Sequence, residues 1–220
     1  MKIGCFDIET VPGQNLPEDC RADIVETVKC GNLGPEKAKE KIDKKMATDP
    51  VSCQVTTFCG ILYDTSKHEE IARVSTQWPP EESEYECIYR AWEFINGCHS
   101  SRTPLVSFNG IGFDLPVLLF RAMVTDVRVE QGMYEQLTKK WGTKQHYDLM
   151  LVLSGWNPSR WKKFDFYLGL FGIGKKTDDM DGSKVYAAWQ AKEYDKIQRY
   201  CEEDVMNLCR LFERVEHWIV

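Results

Sequence analysis

The run CFDIETVPG, residues 5–13, constrains this chain more than any other segment. It continues an apolar start, and residues 2–9 are predicted to form a strand that begins as a buried one. Side chains alternate across a strand, so Ile3, Cys5, Asp7 and Glu9 share one face while Gly4, Phe6 and Ile8 share the other. A carboxylate is costly to bury unless it is paired or holds a cation. Two carboxylates on one strand face therefore require either a strand end that runs into solvent or a bound metal.

Residues 12–34 contain Pro12, Gly13, Pro17, Gly31 and Gly34 and read as irregular. Pro35 opens a lysine-rich helix, PEKAKEKIDKKMA, with few apolar positions. It reads as a solvated excursion and a candidate flap rather than core. SCQVTTFCGILY (52–63) and EIARVST (70–76) flank the turn DTSK and should form a hairpin that pairs with the first strand. Residues 81–97 set Tyr85, Ile88, Tyr89, Trp92 and Ile95 at helical spacing. TPLVSFN (103–109) reads as a short buried strand, and DLPVLLFRAMV (114–124) as a helix capped by Asp114 with Pro116 in its first turn. A long helix closes the chain over 193–217. Three strands followed by strands alternating with helices predict an α/β fold with a mixed sheet. No linker divides residues 1–220.

Composition narrows the function classes. At 220 residues, 43% hydrophobic with seven Trp and ten Phe, the chain can bury a real core. Its net charge of −6 disfavours a protein that coats nucleic acid, yet leaves open an enzyme that handles a nucleic-acid end through a few phosphate contacts. Nine cysteines form no C-x-x-C pair, and four histidines show no zinc-ligand spacing. Reduced, mostly buried thiols are expected rather than a disulfide scaffold or structural zinc. No segment approaches the length of a membrane span and no secretory leader is visible, so the expected location is cytoplasmic.

The last helix can be read geometrically. Ile197, Cys201, Val205, Leu208, Phe212 and Val215 form its apolar stripe. Asp204 lies roughly 60° from the stripe centre, at the edge of the buried face, and Glu203 roughly 160° away, toward water. Tyr200 stands one turn before Asp204 on the same side. In SFNGIGFDLPVL, Asn109, Gly110 and Gly112 make a tight turn that ends at Asp114. Taken singly, Asp114 reads as a helix cap, and Tyr200 with Asp204 as a polar helix edge.

Taken together, an acid pair on the first strand, an acid after an N-G-x-x-F turn and a late Y-x-x-x-D resemble the DEDD superfamily of 3′–5′ exonucleases, in its tyrosine-containing branch. The chain is similar to the proofreading domain of family-B DNA polymerases and to stand-alone predicted exonucleases related to it. HYDLM (146–150) and GIGKKTDDMDGSKV (172–185) also resemble that stand-alone group, whereas residues 12–50 fit it poorly and read as a divergent insertion or flap. No polymerase follows, so a domain that stands alone is expected.

The resemblance implies a ribonuclease H-like fold, with Asp7, Glu9, Asp114 and Asp204 as metal-binding carboxylates and Tyr200 positioning the attacking water. Two Mg²⁺ or Mn²⁺ ions about 4 Å apart would clamp an in-line displacement at phosphorus. Hard cations prefer oxygen ligands, which accounts for acids rather than His or Cys. Thr10, Val11, Asn109, Phe113 and Lys175 are implied substrate contacts. Arg160, Lys162, Lys163 and Lys176 are candidates for phosphates, Trp156 and Trp161 for base stacking, and Asp148 for a supporting role or a helix cap. The implied substrate is the 3′ end of single-stranded DNA, cut to nucleoside 5′-monophosphates, with a replication or repair protein as a candidate partner in trans. The alternatives are a 3′–5′ exoribonuclease or oligonucleotide hydrolase on the same fold, and a non-catalytic nucleic-acid-binding module.

Overall fold

The structure, a computed structural model, describes residues 1–28, 33–79, 83–139, 145–174 and 180–220. The opening segment forms β1 (Lys2–Pro12), three residues longer than its apolar pattern predicts. Two helices follow, α1 (Glu18–Thr27) and α2 (Pro35–Ala47). The hairpin is β2 (Cys53–Asp64) and β3 (Glu69–Gln77), turned where Asp64 accepts from the backbone and hydroxyl of Ser66. Next come α3 (Glu84–Ser100), β4 (Leu105–Ser107), α4 (Asp114–Thr125), α5 (Met133–Thr138) and β5 (His146–Asp148). Helices α6 (Leu149–Leu153), α7 (Phe164–Phe171), α8 (Val185–Gln190) and α9 (Tyr194–Ile219) complete the chain.

The sheet runs in the order β3-β2-β1-β4-β5. β1 and β2, and β2 and β3, are antiparallel, whereas β4 lies parallel to β1 and β5 parallel to β4. This is the mixed sheet of a ribonuclease H-like α/β fold. β1 is central, and its two faces enter different cores. Phe6 and Ile8 pack with Trp92, Ile95, Leu115 and Leu118 of α3 and α4. Ile3 and Cys5 pack with Cys201, Val205, Leu208 and Phe212 of α9. The predicted alternation along β1 therefore sorts the two helix layers, and it puts Asp7 and Glu9 on the α9 side. Truncating a side chain as buried as Phe212 would cost about 3–5 kcal/mol.

Several expectations need correction. Residues 12–34, read as irregular, contain α1, though none of its residues is buried. The lysine-rich α2 is solvated along most of its length, but its C-terminal end is docked. Met46 is fully buried, Thr10 Oγ1 donates to Ala47 O at 2.6 Å, and Ser52 Oγ donates to Met46 O at 3.1 Å. Helix α3 buries Ile88, Trp92 and Ile95 of the residues read at helical spacing, but not Tyr85 and Tyr89. Tyr85 and Tyr89 stack on each other at the surface, while Cys87, Ala91 and Cys98 fill the core beside Ile88, Trp92 and Ile95. No disulfide joins the described cysteines. No helix among the described residues is long and apolar enough to cross a membrane.

Candidate active site

The carboxylates converge on the middle of β1, just past the point where β4 ends beside it. On β1, Glu9 pairs with Thr57 but Thr10 pairs with Val55, so a bulge leaves Thr56 unpaired immediately after Glu9. Bulges re-aim neighbouring side chains and need their freed backbone groups satisfied. Here Val55 N donates to Glu84 at 3.1 Å, as does Gln54 Nε2, and Arg121 clasps the same carboxylate with Nε and Nη2. Glu84 and Arg121 are both buried. This ion pair ties the strand beside Glu9 to α4, the helix that opens with Asp114.

Asp114 is not the cap that its position suggests. Phe113 occupies the N-cap position of α4, and no side chain caps the helix. Asp114 is the first helical residue, only 3% exposed, and its Oδ1 has no hydrogen-bond partner. Its carboxyl meets that of Asp7 in a hydrogen bond.

The loop that delivers Asp114 is held by Asp148. Asp148 Oδ1 accepts from Asn109 N at 2.9 Å and Oδ2 from Ile111 N at 3.0 Å, while Oδ1 also takes the Met150 and Leu151 amides that begin α6. Asp148 is thus both a helix cap and a clamp on the turn. Asn109 sits in the left-handed region at φ 68°, and its carbonyl accepts from Gly112 and Phe113. Gly110 has to be glycine, because a Cβ there would collide with the Ser107 side chain. Under the loop, the His146 ring presents Nδ1 to Leu137 O at 2.9 Å and Nε2 to Ser107 Oγ at 2.8 Å. The carbonyl can only accept, so Nδ1 carries the proton and Nε2 accepts from Ser107. Burial lowers the His146 pKa and keeps that neutral form.

Helix α9 supplies the third side. Its predicted stripe is buried throughout, with Asp204 at the stripe's edge and 8% exposed, as the wheel requires. Glu203 is half-buried rather than fully solvated and lines a separate surface groove with Arg73, Arg199 and Arg210. The Tyr200 hydroxyl hydrogen-bonds to Asp204, and burial together with the charges of Glu9, Asp204 and Asp7 pushes its pKa up. Tyr200 therefore remains a protonated donor.

Asp7, Glu9, Tyr200 and Asp204 line one cleft of about 230 Å³ with Ile8, Phe108, Phe164, Asp165 and Leu208. Burial raises the Asp7 pKa well above the carboxylate range, with the Asp114, Glu9 and Asp204 charges adding to it. Burial raises Asp114 to about 7, with Asp148 adding. Like charges packed this closely hold protons that a cation would displace. The unpaired Asp114 Oδ1, together with Asp7 and Glu9 oxygens within 4.8 Å of each other, fits an oxygen-ligated divalent ion.

The substrate contacts expected from the sequence fare differently. The Thr10 hydroxyl is engaged with Ala47 O, and Val11 is fully buried against Val185 and Tyr200, so neither side chain lines the cleft. Asn109 shapes the turn, and Phe113 packs into the core with α3 and α4. Trp156 and Trp161 lie outside the cleft lining. Lys175 and Lys176 lie outside the described residues. Phe108, Phe164, Asp165 and Leu208 line the cleft without having been singled out. Leu208 was legible as the residue one turn after Asp204, whereas Phe164 and Asp165 carried no signal apart from the basic run before them.

Known proteins bear on this geometry. Structures similar to the chain include a family B DNA polymerase from the hyperthermophilic archaeon Pyrobaculum calidifontis, 19% identical with a TM-score of 0.60 over 98% of this chain and 24% of the polymerase. Exonuclease I of E. coli in complex with an oligonucleotide is 14% identical, with a TM-score of 0.41 over 98% of this chain and 40% of its own. The chain thus spans well under half the length of either protein. Among curated proteins no relative matches it. A family model, described as a predicted 3′–5′ exonuclease related to the exonuclease domain of PolB, matches residues 50–219, which include Asp114, Tyr200 and Asp204 and stop short of β1. With its sheet, its convergent acids and that match over most of its length, the chain belongs to the family of predicted 3′–5′ exonucleases related to the exonuclease domain of PolB.

Proposed function

We infer that this 3′–5′ exonuclease hydrolyses the terminal phosphodiester of single-stranded DNA and releases nucleoside 5′-monophosphates, with residues 1–220 acting as one domain. The observation that carries the reading is the convergence of Asp7, Glu9, Asp204 and Tyr200 from β1 and α9 on one cleft, with Asp114 of α4 against Asp7. Asp7, Glu9, Asp114 and Asp204 would hold two divalent ions, Mg²⁺ or Mn²⁺. Bound there, such ions supply Lewis-acid polarisation of the phosphate and ease deprotonation of water.

The protein's own groups do the rest. Tyr200, kept protonated, can donate a hydrogen bond to a phosphate oxygen or hold the oxygen of an incoming water. Phe108, Phe164 and Leu208 give the cleft an apolar wall on which a splayed terminal base can rest. Arg160, Lys162 and Lys163 are exposed and lead directly into Phe164, with Trp161 also exposed among them. They give a short basic track for the backbone of the incoming strand. Frayed or unpaired ends are favoured, because opening a terminal pair costs a few kcal/mol. A replication or repair protein in trans is the partner class we propose.

The test is digestion of matched 5′-labelled DNA and RNA oligomers, free, annealed, or blocked with a 3′-phosphate, in Mg²⁺, Mn²⁺ or EDTA. The expected result is a DNA ladder that shortens from the 3′ end, slows on annealing and on blocking, and is absent in EDTA. A labelled 5′ mononucleotide as first product, or cutting of a closed single-stranded circle, would overturn the reading. Faster digestion of RNA would replace DNA as the substrate.

A further inference from the structure

Helix α7 keeps an apolar face open to solvent beside the cleft. Apart from Asp165 and the Tyr167 hydroxyl, its sequence FDFYLGLF is apolar all round, yet only one side is covered. Tyr167 and Leu168 are buried in the α9 core, with Phe164 and Phe171 packed against it. Phe166 and Leu170, one turn apart, are 50% and 63% exposed, and Trp161 just before the helix is 44% exposed. Exposed apolar faces rimmed by charge mark places where something binds. Gly169 shares the open face, and a Cβ added there would meet nothing within 4 Å. Packing gives no reason for a glycine that weakens a helix. A flat ligand lying on the helix does.

The face continues outward from the cleft. Phe164 and Asp165 of the same helix line the cleft. Ring contacts run from Phe108 to Tyr167 at 5.9 Å and from Tyr167 to Phe166 at 5.5 Å. The Lys162 ammonium stands 6.0 Å from the Phe166 ring centroid, and Arg160 and Lys163 are exposed nearby in the chain. Residues 156–174 hold these three cations against a single acid, in a chain of net charge −6. Open rings suit unpaired bases, and the cations suit the phosphates between them.

We propose that Phe166, Gly169 and Leu170 form a stacking platform, outside the cleft, for the bases 5′ of the terminal nucleotide. It rests on the exonuclease reading for the direction of the strand. A base stacked on Phe166 takes the place of the Lys162 ammonium over the ring and releases it to the adjoining phosphate. The platform binds the strand without touching the scissile bond, so it acts on KM and not on kcat. Digestion at low substrate concentration therefore slows once the strand is too short to reach α7, leaving a short oligonucleotide as the limit product.

The experiment compares the wild type with Phe166→Ala and Gly169→Gln, both at exposed positions. Gly169→Gln favours the helix, so a loss shared by the two variants is not a folding defect. The substrates, with Mn²⁺, are a long single-stranded oligomer, the same oligomer with abasic upstream nucleotides, and the p-nitrophenyl ester of thymidine 5′-monophosphate, which has no upstream strand. On the long oligomer each substitution should raise KM about tenfold, with kcat changed by less than about twofold. The abasic oligomer and the ester should not distinguish either variant from the wild type. Anisotropy of the labelled long oligomer in EDTA should show binding weakened by a similar factor. An unchanged KM and Kd in either variant would refute the platform and leave the face to a protein partner. An equal loss on the ester would refute it too, by placing the effect inside the cleft. Weakened binding by both variants, with no wild-type cleavage of any substrate, would sink the exonuclease reading and leave the platform standing.

Discussion

Removing the charge of Asp114 should stabilise the metal-free protein at neutral pH, against the usual trend for substitutions at a buried polar residue. Asp114 is 3% exposed and its carboxyl is raised to about 7, chiefly by burial, from an ordinary value of about 3.9. The folded state therefore binds this proton more tightly than the unfolded chain does. Its stabilising contribution is complete below about pH 4 and is lost as pH rises to about 7. Three pH units at about 1.36 kcal/mol each give on the order of 4 kcal/mol. Sharing of a proton with Asp7 reduces this, so about 2–4 kcal/mol is expected. Asn is isosteric and cannot ionise. Urea unfolding in EDTA, followed by tryptophan fluorescence from pH 4 to 8.5, should show wild-type stability falling along that range. Asp114→Asn should match it near pH 4, exceed it near pH 8, and show a flatter profile. Adding Mn²⁺ should stabilise the wild type more than the variant, which keeps Asp7, Glu9 and Asp204 but lacks one ligand. A flat wild-type profile in EDTA, with Asp114→Asn no more stable at pH 8, would refute the reasoning.

Tyr200→Phe keeps the ring packing and removes the hydroxyl, so kcat should fall about 10²-fold with metal affinity unchanged; a collapse of calorimetric metal binding would instead make Tyr200 structural. Asp148→Asn leaves an acceptor for Asn109 N but turns an amide toward Ile111 N–H, costing about 1.5–3 kcal/mol in urea unfolding and raising the Mn²⁺ concentration needed for half-maximal activity. Unchanged metal dependence would confine Asp148 to capping α6. Arg121→Met strands a buried Glu84 charge beside the β1–β2 bulge and should cost about 3–5 kcal/mol, measurable as a lower urea midpoint.

The order and chemistry of the acids were present in the linear chain because each depends on local periodicity. Alternation along β1 placed Asp7 and Glu9 on one face, and the 3.6-residue period of α9 placed Tyr200 and Asp204 at the edge of its buried stripe. The breakers around Asn109–Gly112 marked the turn before Asp114, and the mixed α/β class followed from the order of elements. What tertiary structure alone decided depends on contacts between segments far apart in sequence. Asp114 looked like a cap until α4 was seen to begin one residue earlier, leaving its Oδ1 buried and unpaired. Asp148 clamps a loop 37–39 residues away, a relation with no periodicity to announce it. Thr10 and Val11 looked like substrate contacts because they follow the acid pair, but the docking of α2 and α8 against β1 claimed their side chains for the interior. Helix α3 shows the same limit on a larger scale. Its sequence set Tyr85 and Tyr89 at the same helical spacing as Ile88, Trp92 and Ile95, and the closeness of Gly4 and Gly60 to Cys98 and Phe94 shows which side lies on the sheet. A hydrophobic pattern states that a face must be covered, and the three-dimensional packing decides what covers it.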